Sequence, residues 1–300
     1  IYRYPGVLII IDSRDGSVIA ADTMPDGRET YLLPLVRDLD TDGELDIVFG
    51  TGGETIGGAL YRCTLTELLN NDISGAQRLA ANAGSGFIAA PVAADVDGDG
   101  RDDILAAAYD GQVFAVDGTS GALHWRTAID RIEIYGAPVS GQFTGDATPG
   151  LFIRGARPYR RRAPGQALQL VLDGAIGAIV HLDSTGCGSM ASGTAFDADG
   201  DGREEVLFSS HSYRLQRPDF LKTVHTLQLL NVEERAVRAF YPLSYAKNLA
   251  ATPWSGDLDG DGRLDVVYCR LSNRFDYFEM GGLTVERLST DVPVFPESIE

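Results

Sequence analysis

Short apolar runs recur along the whole chain: Val7-Leu8-Ile9-Ile10-Ile11, Ile47-Val48-Phe49, Ile104-Leu105, Val113-Phe114-Ala115-Val116, Leu170-Val171-Leu172, Val206-Leu207-Phe208 and Val266-Val267-Tyr268. They are rich in β-branched and aromatic residues, too short for amphipathic helices and bounded by turn residues, which predicts buried strands. Between alternating runs lie the hairpin signals Asp117-Gly118, Ser120-Gly121 and Asp173-Gly174. The run 7–20, with Asp12-Ser13-Arg14-Asp15-Gly16 at its middle, predicts two strands and a tight turn.

Four of the runs are preceded by one polar spelling. Carboxylates stand at positions 1, 3, 5 and 9 as Asp38, Asp40, Asp42, Asp46; Asp95, Asp97, Asp99, Asp103; Asp197, Asp199, Asp201, Glu205; and Asp257, Asp259, Asp261, Asp265. Position 6 is Gly43, Gly100, Gly202 and Gly262, which permits a sharp turn. Short carboxylates curled about one centre suit a hard cation with 6–8 oxygen ligands, and the position-7 carbonyl of Glu44, Arg101, Arg203 or Arg263 can complete the set. Mg²⁺ demands stricter octahedral geometry and keeps its waters, so the expected ion is Ca²⁺, about four per chain. These loops are not EF-hands. Position 12, where an EF-hand places a bidentate Glu, is Phe49, Ala106, Phe208 and Tyr268, each inside a strand run. Each loop is therefore expected to clamp a hairpin.

A gap between Asp103 and Asp197 holds a fifth, altered copy. Gly136-Ala137-Pro138-Val139 aligns with Ala90-Pro91-Val92, but Gln142, Thr144 and Gly150 stand at carboxylate positions, Ala147 replaces the position-6 glycine, and Asp146 alone survives. Its strands are expected without its metal. Four antiparallel strands per unit of about 50–60 residues is the blade of a β-propeller. The expected fold is all-β, a single domain or part of one, with a half blade at 1–28 and blades at about 29–85, 86–132, 133–186, 187–246 and 247–300. Either blades precede residue 1, or residues after Asp291 pair with the N-terminal hairpin as a composite blade.

The formal net charge of −18 changes meaning once ions are counted, since four Ca²⁺ would leave about −10. The acidity reads as ligand supply and argues against a nucleic-acid partner. No run reaches the ~18 apolar residues of a membrane span, so no membrane insertion is expected. The first residue is Ile and no signal peptide is present, which reads as a mature or excerpted piece of a secreted or cell-surface protein. Cys63, Cys187 and Cys269 form no CxxC pattern and are expected as free thiols. His124, His181, His211 and His225 are scattered, and GxSxG, HExxH and P-loop motifs are absent, so catalytic residues are not assigned. His211 alone lies in a polar stretch.

Cationic residues cluster away from the acidic loops. In a propeller the connection between the second and third strands lies opposite the first hairpin. Those connections carry Arg154, Arg157, Tyr159, Arg160, Arg161 and Arg162, then Tyr213, Arg214 and Arg217, then Arg270 and Arg274. Arg forks suit carboxylate, sulfate or phosphate, so a protein or acidic-glycan partner is expected on that face, with salt-dependent affinity. The competing reading is a set of solvated loops whose Arg pair with local acids.

The four DxDxDGxx[DE] loops with their trailing strands, Phe49-Gly50-Thr51-Gly52-Gly53, and Pro34, Pro91 and Pro253 four residues before the first Asp together resemble the FG-GAP, or VCBS-repeat, propellers, the family that includes the integrin alpha-subunit head. The resemblance implies the blade fold and structural Ca²⁺, and leaves function open, because such propellers serve adhesion, glycan binding, lyases and scaffolds. Residues 117–125 also resemble a quinoprotein propeller repeat, once, and read as blade architecture. The reading that follows is a calcium-stabilised binding, adhesion or assembly module. The alternatives are a propeller-scaffold enzyme, such as a polysaccharide lyase or a redox-enzyme subunit, and a structural repeat that self-assembles within a large surface protein or filament.

Overall fold

The computed structural model describes residues 4–158, 166–184, 186, 190–214, 222–241, 246–247, 251–272 and 283–293. The chain divides into two compact units, Ile1–Pro138 with Gly174–Ala178, and Val139–Asp173 with Ile179–Glu300.

The first unit opens with the antiparallel hairpin β1 (Val7–Ile11) and β2 (Val18–Thr23). A four-stranded antiparallel meander follows, β3 (Leu35–Arg37), β4 (Asp46–Gly50), β5 (Gly58–Thr64) and β6 (Gln77–Asn82). Helix α1 (Leu65–Leu69) interrupts its last connection. A second meander is β7 (Val92–Ala94), β8 (Asp103–Ala107), β9 (Gln112–Val116) and β10 (Leu123–Ala128). Strands β4 and β8 are buried along their whole length. That is why their sequences read as unbroken apolar runs and not as alternations. Their side chains join Leu39, Val48, Leu60, Phe87, Ile104 and Phe114 in one core, and Phe49, Tyr61, Met24 and Ile73 in another.

The second unit repeats the plan as β11 (Val139–Gly141), β12 (Gly150–Ala156), β13 (Ala167–Leu172) and β14 (Ile179–Asp183). The next meander is β15 (Gly193–Phe196), β16 (Glu205–Arg214), β17 (Lys222–Asn231) and β18 (Ala236–Tyr241). Phe143, Phe152, Val171, Val206, Phe208 and Leu230 form the core around them. The last sheet contains β19 (Ala246–Lys247), β20 (Trp254–Gly256), β21 (Arg263–Ser272) and β22 (Leu283–Pro293). Here β19 pairs the far end of β21, so Ala246 belongs with this sheet and not with the one ending at β18. The class is all-β, built from propeller-type blades. The composite blade expected after Asp291 falls mostly on 294–300, outside the described residues.

One irregularity marks the outer strands. Leu79, His124, Val180 and Phe240 are each skipped in the pairing of a fourth strand with a third, and Ile19 is skipped in the β1–β2 hairpin. A one-residue bulge of this kind re-aims a side chain; the skipped residue is apolar in the hairpin and in three of the four-stranded sheets, while in β10 it is His124.

Candidate metal-binding loops

Each acidic stretch joins the first strand of a sheet to the second, as the sequence predicts: β3 to β4, β7 to β8, β15 to β16 and β20 to β21. Backbone N–H groups orient the carboxylates. The position-6 glycines Gly43, Gly100, Gly202 and Gly262 donate to the position-1 aspartates Asp38, Asp95, Asp197 and Asp257 at 2.8–3.0 Å. The position-7 N–H of Glu44, Arg101, Arg203 and Arg263 donates to Asp42, Asp99, Asp201 and Asp261 at 2.7–2.9 Å. Asp40, Asp97 and Asp199 accept from the residue two further on. The position-9 carboxylates Asp46, Asp103, Glu205 and Asp265 are buried, 2–6% exposed, and accept from the position-2 N–H.

This frame brings Asp38, Asp40 and Asp42 together, then Asp95, Asp97 and Asp99, then Asp197, Asp199 and Glu205, then Asp257, Asp259 and Asp265, with one oxygen of each within 4.8 Å of the others. Carboxylates this close repel unless a cation or a proton sits among them. Burial, then the neighbouring aspartates, push Glu205 up to about 7, against the pull of the Ala198 N–H. Burial likewise raises Asp46 and Asp103. Asp38 Oδ1 is buried without a hydrogen-bond partner, a state that costs free energy in an apo loop and that a bound cation would relieve. The donor set is all oxygen, which fits a hard cation.

Several assignments need adjusting. The Glu44 side chain turns away to accept from Thr66 N–H at the start of α1, so only its carbonyl can serve the loop. The altered copy at 142–150 is closed by protein: Gln142 N–H donates to Glu204 Oε2 at 2.7 Å, and Glu204 N–H returns to the Gln142 carbonyl at 2.8 Å. Arg154 is not displayed in a connecting loop. It lies on β12, only 3% exposed, donating to the Ser209 carbonyl with its guanidinium 5.1 Å from the Phe208 ring. Arg157 is exposed. Tyr213 and Arg214 lie on β16 and Arg270 on β21, because those strands run longer than expected. Tyr159, Arg160, Arg161, Arg162, Arg217 and Arg274 lie outside the described residues, as does Cys187. Cys63 and Cys269 are free thiols, and burial pushes Cys63 up to about 12, which keeps it unreactive.

Residues that the spacing did not reveal surround the position-9 carboxylates. His124 Nε2 lies 2.9 Å from Asp103, 3.8 Å from Asp97 and 4.0 Å from Asp117. Burial alone would lower its pKa, but these three carboxylates hold it above the ordinary value. Asn231 donates to Glu205 at 2.8 Å, Arg62 Nε stands 3.7 Å from Asp46, and Arg287 binds both Asp265 and Asp259.

No family model matches the chain, and no curated protein does. Among solved structures, BamB from Moraxella catarrhalis is 15% identical over 96% of this chain and 71% of its own, with a TM-score of 0.44. Rhamnogalacturonan lyase YesW is 17% identical over 89% of this chain and 50% of its own, at 0.48. The WD40 domain of Toxoplasma gondii coronin is 11% identical over 97% of this chain and 67% of its own, at 0.48. This chain thus spans about half the length of the lyase. The fold class rests on the sheets themselves.

Proposed function

We propose that this chain is a calcium-stabilised, propeller-type binding or assembly module of the extracellular space or cell surface, without catalytic activity of its own. The observation that carries the reading is the fourfold repetition of one hydrogen-bond frame that converges carboxylates at a hairpin tip, together with the orphaned Asp38 Oδ1. Asp38, Asp40, Asp42 and Asp46, with their counterparts in the other loops, would hold the ions. Bound there, Ca²⁺ would neutralise the converging carboxylates and clasp the loop through ionic coordination to their oxygens. Millimolar calcium outside cells suits such sites. One histidine suits a non-catalytic role, since His124 is committed to three carboxylates. The partner this reading favours is a protein or an acidic glycan, engaged by the Arg- and Tyr-rich segments that begin at Arg157.

Chelation tests the structural part. Ligand linkage stabilises by about 2.7 kcal/mol per site at a hundredfold excess over Kd. Excess chelator should therefore lower the melting temperature by many degrees. Asp97→Ala should reproduce part of the loss, while Asp146→Ala, in the copy closed by Glu204, should change little. A melt unaffected by chelator would sink the reading.

A further inference from the structure

Around the position-9 carboxylate the four loops part company. Glu205 accepts two hydrogen bonds, from Ala198 N–H and Asn231 Nδ2, both at 2.8 Å and both from uncharged donors. Asp103 has Val96 N–H and His124 Nε2, each at 2.9 Å. Asp46 has Leu39 N–H at 3.2 Å, and Arg62 stays too far off to donate, its guanidinium going to the Gly118 and Thr119 carbonyls. Asp265 is different. Its Oδ2 accepts from Leu258 N–H at 3.1 Å and stands in ion-pair contact with Arg287 Nη2 at 2.7 Å, while its Oδ1 accepts from Arg287 Nε and Ser289 Oγ, both at 2.8 Å.

An ionised carboxylate offers about four lone-pair sites; three of those on Asp265 accept hydrogen bonds and Arg287 Nη2 crowds the fourth, so a metal has to displace the guanidinium to bind there. Arg287 Nη2 also donates to Asp259 at position 3. One guanidinium thus makes a charge-assisted hydrogen bond to each of two carboxylates that would bind the ion, and touches both oxygens of Asp265. Strand pairing holds it there, with Arg287 directly across β21 from Val267.

We propose that Arg287 is the resident cation of the fourth loop, so that Asp257–Asp265 folds without a metal and binds Ca²⁺ most weakly of the four. The ranking rests on the calcium reading of the other loops; the role of Arg287 does not. An arriving ion must displace two charge-assisted hydrogen bonds and an ion-pair contact at this loop and none of that kind at the third, where Asn231 is neutral. The third loop, with Glu205 uncompensated, is the one that gains most from metal.

The test is calorimetric titration of the metal-stripped chain with CaCl₂, alongside melts in excess chelator. Wild type should show three tight equivalents and a fourth at least tenfold weaker. Arg287→Gln should move the fourth into the tight class and lower the melting temperature in chelator. Arg287→Lys, which keeps the charge but loses the fork, should fall between. Asp199→Asn should remove one tight equivalent, and Asp257→Asn should remove none. Should Arg287→Gln fail to fold until calcium is added, the proposal gains support. Four equal sites in the wild type overturn it, as does an Arg287→Gln variant unchanged in both affinity and chelated melt. If wild type takes up no calcium, the calcium reading fails by itself. The chelated melt then decides for Arg287: a drop in Arg287→Gln keeps it as resident cation, and no drop removes it.

Discussion

Thr41 holds the fourth position of the first loop at φ 60°, where the other three loops carry Gly98, Gly200 and Gly260 at φ 79–81°. Those glycines donate N–H to the position-1 Oδ1 at 2.7 Å, and in the first loop the same oxygen, Asp38 Oδ1, is the orphan. A β-branched residue in the left-handed region costs roughly 1–2 kcal/mol, of which glycine's greater freedom when unfolded returns part. Thr41→Gly should therefore stabilise the chain by about 1 kcal/mol, a rise of a few degrees in a thermal melt, and a neutral or lower melt would count against this account. Much of the site was legible at this scale, because positions 1 to 9 are contiguous and their spacing is their geometry. Its partners were not. His124, Asn231 and Arg287 lie 21 to 26 residues beyond the carboxylates they meet, and only strand register brings them there. Arg154 was misplaced for the same reason, since nothing in an Arg-rich stretch marks where the strand ends.

Turns between the third and fourth strands are the elements that tie the sheets of the first unit together. The turn after β9 is held from the preceding sheet, where Arg62 on β5 reaches the Gly118 and Thr119 carbonyls and Gln77 reaches that of Ser120 at 3.0 Å. Gly118 is required there, since a Cβ would lie 1.9 Å from the Asp102 carbonyl oxygen. The same device recurs at Gly174–Ala178. Trp125 on β10 donates its indole N–H to the Gly174 carbonyl at 2.6 Å, and Thr127 donates to that of Gly177 at 2.6 Å. Trp125 is buried, with its ring against Gly177. Trp125→Phe removes both the donor and part of the ring, and should cost roughly 2–3 kcal/mol in a urea melt; a loss under about 0.5 kcal/mol would mean that the docking is incidental. Asp-Gly signals placed these turns in the sequence, but not what holds them. Helix α1 went unforeseen, although Thr64 and Glu67 form a capping box whose spelling was there to read.

Across the whole molecule the repeat spacing foretold the run of four-stranded sheets, because one hairpin loop per sheet is enough to count them. It also foretold the electrostatic problem, since the net charge is −18 and most of the excess sits at hairpin tips where carboxylates converge. Strands cannot hold those tips closed against repulsion without a counter-charge, and among the described residues one comes from Arg287 at Asp259 and Asp265, from Arg37 at Asp102, from His124 at Asp97 and Asp103 when it is protonated and, more remotely, from Arg62 near Asp46. The remaining repulsion must be met by bound calcium or by salt. The Debye length shortens from about 10 Å at 0.1 M ionic strength to about 3 Å at 1 M, so mobile ions can screen much of it. In excess chelator, then, raising NaCl from about 0.05 M to about 0.5 M should lift the melting temperature by several degrees. With saturating calcium the same change should lift it far less, because the loops are already neutralised and screening then also weakens the ion sites. The difference between the two slopes is the quantity to measure. Equal slopes would mean that the acidic loops are not where the charge burden of this chain lies, and that its stability depends on calcium, if at all, for some other reason.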